Sequence, residues 1–247
     1  MADISKHLAA LKNICTGTVT TILVNKGVRK TWMRGPMPTR AGLERKVGRA
    51  FTLRFVPARE DLATTASWGK PISTRAAIEQ MDEGVVAVAD AMGLPESGIF
   101  GDILCARMVK RGVSALVTDG VMRDLPGVLA TGLPLWAQGT ASPPAVSGMT
   151  FVNWQEPVGC GGVAVYPDDV IVADDDGAVV IPAALVDEVA AAAPAQERLE
   201  AWIMQEVEKG AALPGLYPPD AQNTMRYEAH LKNINKDRKS TRLNSSH

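Results

Sequence analysis

Asp102 and the adjacent pair Arg123-Asp124 are separated by twenty residues, a spacing that can bring two carboxylates and a guanidinium together. Residues 102–111 read as a helix about 15 Å long at 1.5 Å per residue. Gly112 is a natural C-cap. The apolar, β-rich run Val113–Thr118 reads as a strand of about 20 Å. If that strand runs back along the helix, the loop carrying Arg123 and Asp124 returns to Asp102. The planar fork of Arg123 can grip a carboxylate with two hydrogen bonds, which lysine cannot reproduce. Asp124 is the best placed metal ligand. Magnesium and manganese favour carboxylate oxygen, and magnesium keeps several waters and needs one or two protein carboxylates. His7 and His230 lie near the ends of the chain and His247 in its polar tail, so a zinc site of histidine and cysteine is not expected. The cluster therefore predicts a pocket for a divalent cation and an acidic substrate.

The surrounding elements must hold this pocket. Ile4, Leu8, Leu11 and Ile14 have helical spacing within Ile4–Leu23, and the Pro- and Gly-rich stretch Gly27–Arg45 reads as an irregular connection. Val47–Val56 alternates as a strand, Arg59–Ser73 is a polar loop, Thr74–Asp82 a short helix and Val85–Ala89 a buried strand. Further strands are expected at Leu133–Ala137, Val152–Pro157, Val163–Tyr166, Val170–Ala173 and Ala178–Ile181. Asp174–Gly177 is a hairpin signal that favours a primed turn. An Ala-rich helix interrupted by Pro194 spans Leu185–Glu208. Many short strands with few helices indicate an α/β sandwich without internal repeats. The G-C-G-G phrase at Gly159–Gly162 lacks the continuation of a phosphate-binding or dinucleotide loop and reads as a tight turn.

The phrase G-D-I-L at Gly101–Leu104, followed by D-G-V-M-R-D at Asp119–Asp124, resembles the class II pyruvate aldolases. These enzymes cleave 4-hydroxy-4-methyl-2-oxoglutarate and 4-carboxy-4-hydroxy-2-oxoadipate. Their superfamily also contains the regulator of ribonuclease activity A, a ribonuclease E inhibitor. V-G-R-A-F-T at Val47–Thr52 and P-D-D-V-I-V-A-D-D-D-G-A-V-V-I-P at Pro167–Pro182 extend the likeness over roughly residues 15–215.

The resemblance implies a β/β/α swivelling-type domain that assembles as a homotrimer or hexamer with active sites at subunit interfaces. It implies that Arg123 binds the 2-oxo acid, that Asp124 coordinates Mg²⁺ or Mn²⁺, and that Asp102 works through water. The amides of Gly101, Asp102, Ile103 and Leu104 would hold the substrate carboxylate, as free N–H groups at a helix start favour anions. A glutamate from a neighbouring subunit's late helix would complete the site; Glu197 and Glu200 in A-Q-E-R-L-E are the candidates. The family's Ser/Thr-Asp pair near the N-terminus has no Asp counterpart in G-T-V-T-T-I-L at Gly17–Leu23. Arg34, Arg40 and Arg45, in and beside the inserted W-M-R-G-P-M-P-T-R, are candidates to meet a second acidic group of the substrate. Oxaloacetate decarboxylation is expected as a side activity. A related sugar-acid lyase, or a non-catalytic regulator acting through its surface, are the competing readings.

With 247 residues, 46% hydrophobic and 21% charged, the chain has ample material for one core. The expected domain spans 1–230. Residues 231–247 form a polar, basic tail that reads as disordered or appended. Setting aside the tail's five basic residues and one acid leaves 21 basic against 26 acidic, a net −5. Such a body has no footprint for nucleic acid. No run is long enough for a membrane span, and the N-terminus lacks a signal peptide's apolar core. Cys15, Cys105 and Cys160 are scattered and odd in number, which reads as reduced thiols of a cytoplasmic protein.

Overall fold

The computed structural model describes residues 4–244, with the backbone alone described over 235–244. Helices α1 (Ile4–Leu11) and α2 (Thr16–Asn25) precede two short strands, β1 (Trp32–Met33) and β2 (Met37–Pro38), and the long strand β3 (Lys46–Pro57). There follow α3 (Thr74–Glu79), β4 (Val86–Asp90), α4 (Asp102–Lys110), β5 (Ala115–Thr118), β6 (Val121–Met122), α5 (Leu125–Ala130) and β7 (Leu135–Ala137). The chain continues through β8 (Gly139–Thr140), β9 (Met149–Trp154), β10 (Val170–Asp174) and β11 (Gly177–Ile181) to helices α6 (Val186–Glu208) and α7 (Ala221–Asn244).

One sheet runs β1-β11-β10-β3-β4-β5-β7-β2, with β9 also paired to β3; β6 and β8 form a separate pair. The β3-β4-β5-β7 half is parallel and the β3-β10-β11-β1 half antiparallel. The two ends of this path, β1 and β2, are joined by only Arg34, Gly35 and Pro36. Such a link reaches roughly 10 Å, so the sheet must curl until its edges nearly meet. The α/β fold class expected from sequence is what the structure holds, in the form of a curled half-barrel with C-terminal helices.

Period-two alternation along the strands divides the apolar residues between three cores. Val86, Val88, Ala115, Val117, Trp136, Ile171 and Val180 fill the inside of the curl. There the Trp136 indole of β7 donates to the Asp174 carbonyl of β10 at 2.7 Å. Ala87, Ala89, Leu116 and Leu135 face the other way, packing with Ile78, Cys105, Met108 and Val128 of α3, α4 and α5. Val170, Val172, Val179 and Ile181 pack with Leu11, Val19, Leu23 and Val189 of α1, α2 and α6. The parallel half thus carries α3–α5 and the antiparallel half α1, α2 and the start of α6.

Several local expectations are corrected. The N-terminal helix is two helices, because Cys15 caps α2 through its sulfur on the Thr18 amide and Asp174 anchors Thr16. Val163–Tyr166 makes a single bridge, Val158 to Val165, and no strand. At the β10–β11 hairpin the positive φ falls on Gly177, at 113°, and on neither Asp175 nor Asp176, so the turn is not a primed one. Helix α6 continues through Pro194. The backbone of α7 is helical through Asn244 and so covers residues 231–244 of the segment set aside as a tail; residues 245–247 lie outside the described residues.

The chain divides into two compact units, Met1–Ala193 and Pro194–His247, where one domain over 1–230 was expected. The first holds the sheet and its helices. The second has its own small core of Trp202, Ile203 and Leu216, with Tyr227 packed against it. Among the described residues, no helix is long and apolar enough to cross a membrane.

Candidate active site

The crossovers of the parallel half lay two segments side by side. The Ile99 amide donates to the Val121 carbonyl at 2.9 Å and the Arg123 amide to the Phe100 carbonyl at 3.0 Å. Glycine makes the approach possible. A Cβ on Gly98 would fall 2.7 Å from the Arg123 nitrogen, and one on Gly101 would fall 2.6 Å from Asp124 Oδ2. On the other side, a Cβ on Gly127 would fall 2.8 Å from Asp102 Oδ2. Each carboxylate therefore lies over the start of the other's helix: Asp102, first in α4, against the first turn of α5, and Asp124, the N-cap of α5, against the N-cap of α4. Both helix starts are positive and favour this charge. The D-x20-R-D spacing brings its three side chains together as the sequence geometry required.

These residues edge a cavity of about 250 Å³ whose wall includes the apolar side chains of Phe55, Phe100, Met149 and Phe151. The phenyl ring of Phe55 meets Phe151 edge-on at 5.2 Å and Phe100 at 6.4 Å, which fixes that wall. The charged side chains lining it are Arg75, Asp102, Arg123 and Asp124. Arg123, one-third exposed, donates from Nε to Asp124 Oδ2 at 3.1 Å. Its terminal nitrogens have no protein acceptor among the described residues, so the outer edge of the fork is uncommitted. Asp102 Oδ1 accepts the Ile103 amide at 2.7 Å. Asp124 adopts the left-handed conformation, φ 54°, ψ 38°. For a non-glycine residue that costs roughly 1–2 kcal/mol, a strain that concentrates at functional positions. Behind the site, burial and then the Asp102 charge push the Cys105 thiol up to about 12. It is a packing group and no nucleophile at neutral pH.

Known proteins share this fold. A family model for RraA-like proteins, described as Aldolase/RraA, matches residues 2–180. The chain belongs to the RraA-like family. It is 34% identical over 115 residues to the Halalkalibacterium halodurans protein named "Putative 4-hydroxy-4-methyl-2-oxoglutarate aldolase", covering 46% of this chain and 54% of that one. It is 27% identical over 194 residues to protein DlpA of Legionella pneumophila, covering 78% of this chain and 30% of DlpA. The chain thus spans about half the length, or less, of these curated relatives. Among solved structures, RraAS2 of Streptomyces coelicolor is described as an unusual member of the RNase ES inhibitor RraA protein family. It superposes with a TM-score of 0.72 at 33% identity, covering 80% of this chain and 94% of that one. An uncharacterized Pseudomonas syringae protein gives a TM-score of 0.73 at 26% identity, covering 86% and 97%.

The donor set at this site suits a hard cation. Asp124 is half exposed, accepts a bond from Arg123, and faces space left by the missing side chain of Gly101. Among the described residues no group of three or more His, Cys, Asp and Glu side chains converges. A cation here would rest on one or two carboxylates and its own waters, which is magnesium's habit. Glu197 and Glu200 belong to the second compact unit, where the Gln196 amide donates to Glu200 at 2.7 Å.

The arginines singled out for a second acidic group are not at the cavity. Arg45 pairs with Asp174 at 3.3 Å, and the Arg34 amide donates to the Gly161 carbonyl at 3.1 Å. Neither these two nor Arg40 lines the cavity. Arg75 does, with its guanidinium 4.6 Å from the Trp68 ring centre. Sequence reasoning missed both residues: the loop before α3 read as polar filler, and no spacing ties it to the D-x20-R-D motif. The G-C-G-G turn is structural, as expected, with the Gly161 amide held by Asp119.

Proposed function

We propose that this chain is a divalent-metal-dependent lyase. It cleaves a 4-hydroxy-2-oxo acid of the 4-hydroxy-4-methyl-2-oxoglutarate type to pyruvate and a second oxo acid, and it decarboxylates oxaloacetate in the same site. One observation carries the reading: an arginine with uncommitted terminal nitrogens and two lightly bonded carboxylates line the edge of one cavity.

Asp124 would hold Mg²⁺ or Mn²⁺, which when bound supplies a Lewis acid beside the 2-oxo group. Arg123 grips the substrate carboxylate with its terminal nitrogens and sets a fixed positive charge beside the oxygen where the enolate charge develops. The Gly101, Asp102 and Leu104 amides at the start of α4 present further donors to that carboxylate, while the Ile103 amide is taken by Asp102 Oδ1. Asp102 takes the proton of the C4 hydroxyl through an ordered water. The C4–O bond becomes a carbonyl, the C3–C4 bond breaks, and its electron pair passes through C2 to the 2-oxo oxygen. Protonation at C3 then gives pyruvate. In oxaloacetate, loss of CO₂ leaves the same enolate. No Schiff-base lysine is required.

A neighbouring copy would complete the site with Glu197 or Glu200, in a homotrimer or hexamer. Mixing Asp124→Ala protein with an inactive Glu variant should then regenerate some activity, whereas a fully active monomer in sedimentation would refute the sharing. A coupled pyruvate assay over 4-hydroxy-2-oxo acids and oxaloacetate tests the reaction itself. Release with Mg²⁺ or Mn²⁺ and silence in EDTA support it; undiminished release in EDTA contradicts it. The likeness to RraAS2 favours a second reading, a regulator that binds a ribonuclease, which inhibition of ribonuclease E cleavage without any pyruvate release would support.

A further inference from the structure

We propose that Arg75, braced on Trp68, is a specificity-determining residue that receives a second carboxylate, at the far end of the substrate from Arg123. The inference rests on the lyase reading for the placement of the first carboxylate.

The guanidinium of Arg75 stands 4.6 Å from the centre of the Trp68 ring. Cation–π contact engages the face of the group and leaves its N–H donors free for an anion. No acid pairs with Arg75 among the described residues, whereas Arg123, in the same lining, already has Asp124. Partial burial lowers the Arg75 pKa from the ordinary arginine value, yet the group remains cationic at neutral pH.

Charge gives an independent argument. The lining carries Arg75 and Arg123 against Asp102 and Asp124, a balance of zero. A divalent cation on Asp124 would raise it to +2, the complement of a dianion and an excess over a monoanion. The apolar wall that includes Phe55, Phe151 and Met149 suits the uncharged middle of such a substrate. Arg34, Arg40 and Arg45, which lie off the cavity, cannot take this role.

The experiment compares wild type with Arg75→Gln and Arg75→Lys by two readouts. The first is kcat/KM for pyruvate release from 4-hydroxy-2-oxoglutarate, a dicarboxylate, relative to 4-hydroxy-2-oxopentanoate, a monocarboxylate. Loss of a charge-assisted contact should lower that preference on the order of 10–100-fold in Arg75→Gln. The change should fall mainly in KM, with partial rescue by Arg75→Lys. The second is calorimetric binding, with Mg²⁺ present, of 2-oxoglutarate against 2-oxobutyrate, neither of which can be cleaved by this reaction. Selective weakening of 2-oxoglutarate in the glutamine variant supports the proposal even if wild type releases no pyruvate, in which case the lyase reading alone fails. An unchanged preference and unchanged 2-oxoglutarate affinity overturn it. Equal weakening of both compounds also overturns it, by marking Arg75 as structural.

Discussion

Two pairs of aspartates, one pair in each half of the sheet, are used in opposite ways. In the antiparallel half, Asp174 is buried and saturated. It accepts the Thr16 amide at 2.9 Å, the Thr16 hydroxyl at 2.7 Å, the Asp176 amide at 3.1 Å and Arg45 Nε at 3.3 Å. Asp169, just before β10, accepts the Tyr166 and Ala183 amides at 2.9 and 2.8 Å. In the parallel half, Asp102 accepts its neighbour's amide and Asp124 one arginine nitrogen, and both line an open cavity. Saturated acids tie segments together; Asp174 joins residues 158 positions apart. Acids with spare lone pairs can take a cation or a proton. Bonding, more than residue type, separates scaffold from site.

Four substitutions or conditions can break that contrast. Arg123→Lys keeps the charge and loses the fork, so kcat for pyruvate release should fall roughly 10²–10³-fold; near-normal kcat would reduce the role of Arg123 to a diffuse charge. Gly101→Ala places a methyl 2.6 Å from Asp124 Oδ2 and must displace that carboxylate. Misplacement on this scale can cost roughly 10² in rate, and steady-state kinetics alongside an unshifted melting curve would display it. Asp174→Ala should show the reverse pattern. It strands the Thr16 donors and should cost about 2–3 kcal/mol, a drop of roughly 4–10 °C in Tm, with kcat within about twofold of wild type. A large loss of kcat with little loss of stability would erase the distinction between the two pairs.

The smallest effect concerns Asp119, which accepts the Ala91 and Gly161 amides at 2.7 and 3.0 Å. Burial raises its pKa above the ordinary aspartate value of 3.8 despite those bonds. An acid raised in the folded state binds its proton more readily there than in the unfolded chain. Its protonation therefore stabilises the fold below pH 3.8, and that contribution is lost as pH rises through the folded value. Denaturant unfolding from pH 3.5 upward should show the stability difference between wild type and Asp119→Asn shrinking or reversing in that window. A difference independent of pH would show that Asp119 does not titrate there.

Much of this was legible in the chain. Val85–Ala89 and Val113–Thr118 read as strands from their apolar runs, and β4 and β5 lie there to within two residues. The D-x20-R-D spacing spans one helix and one returning strand, so the cluster could be drawn before any coordinates. The closure of the sheet could not, because β1 and β2 are two residues each and carry no period. The break between α1 and α2 depends on Asp174, a partner remote in sequence. Arg75 and Trp68 were hidden because a loop residue and a helix-start residue acquire meaning only when the fold sets them beside the motif.

The most direct measurement is a Mn²⁺ titration followed by electron paramagnetic resonance, run with the pyruvate assay on wild type and Asp124→Ala. If the half-exposed carboxylate of Asp124 is the cation's anchor, wild type binds one Mn²⁺ per chain and releases pyruvate. The alanine variant should keep its circular dichroism and lose both, with activity down on the order of 10³ or more. Equal Mn²⁺ affinity in the two proteins, or turnover that survives the substitution, would contradict the assignment.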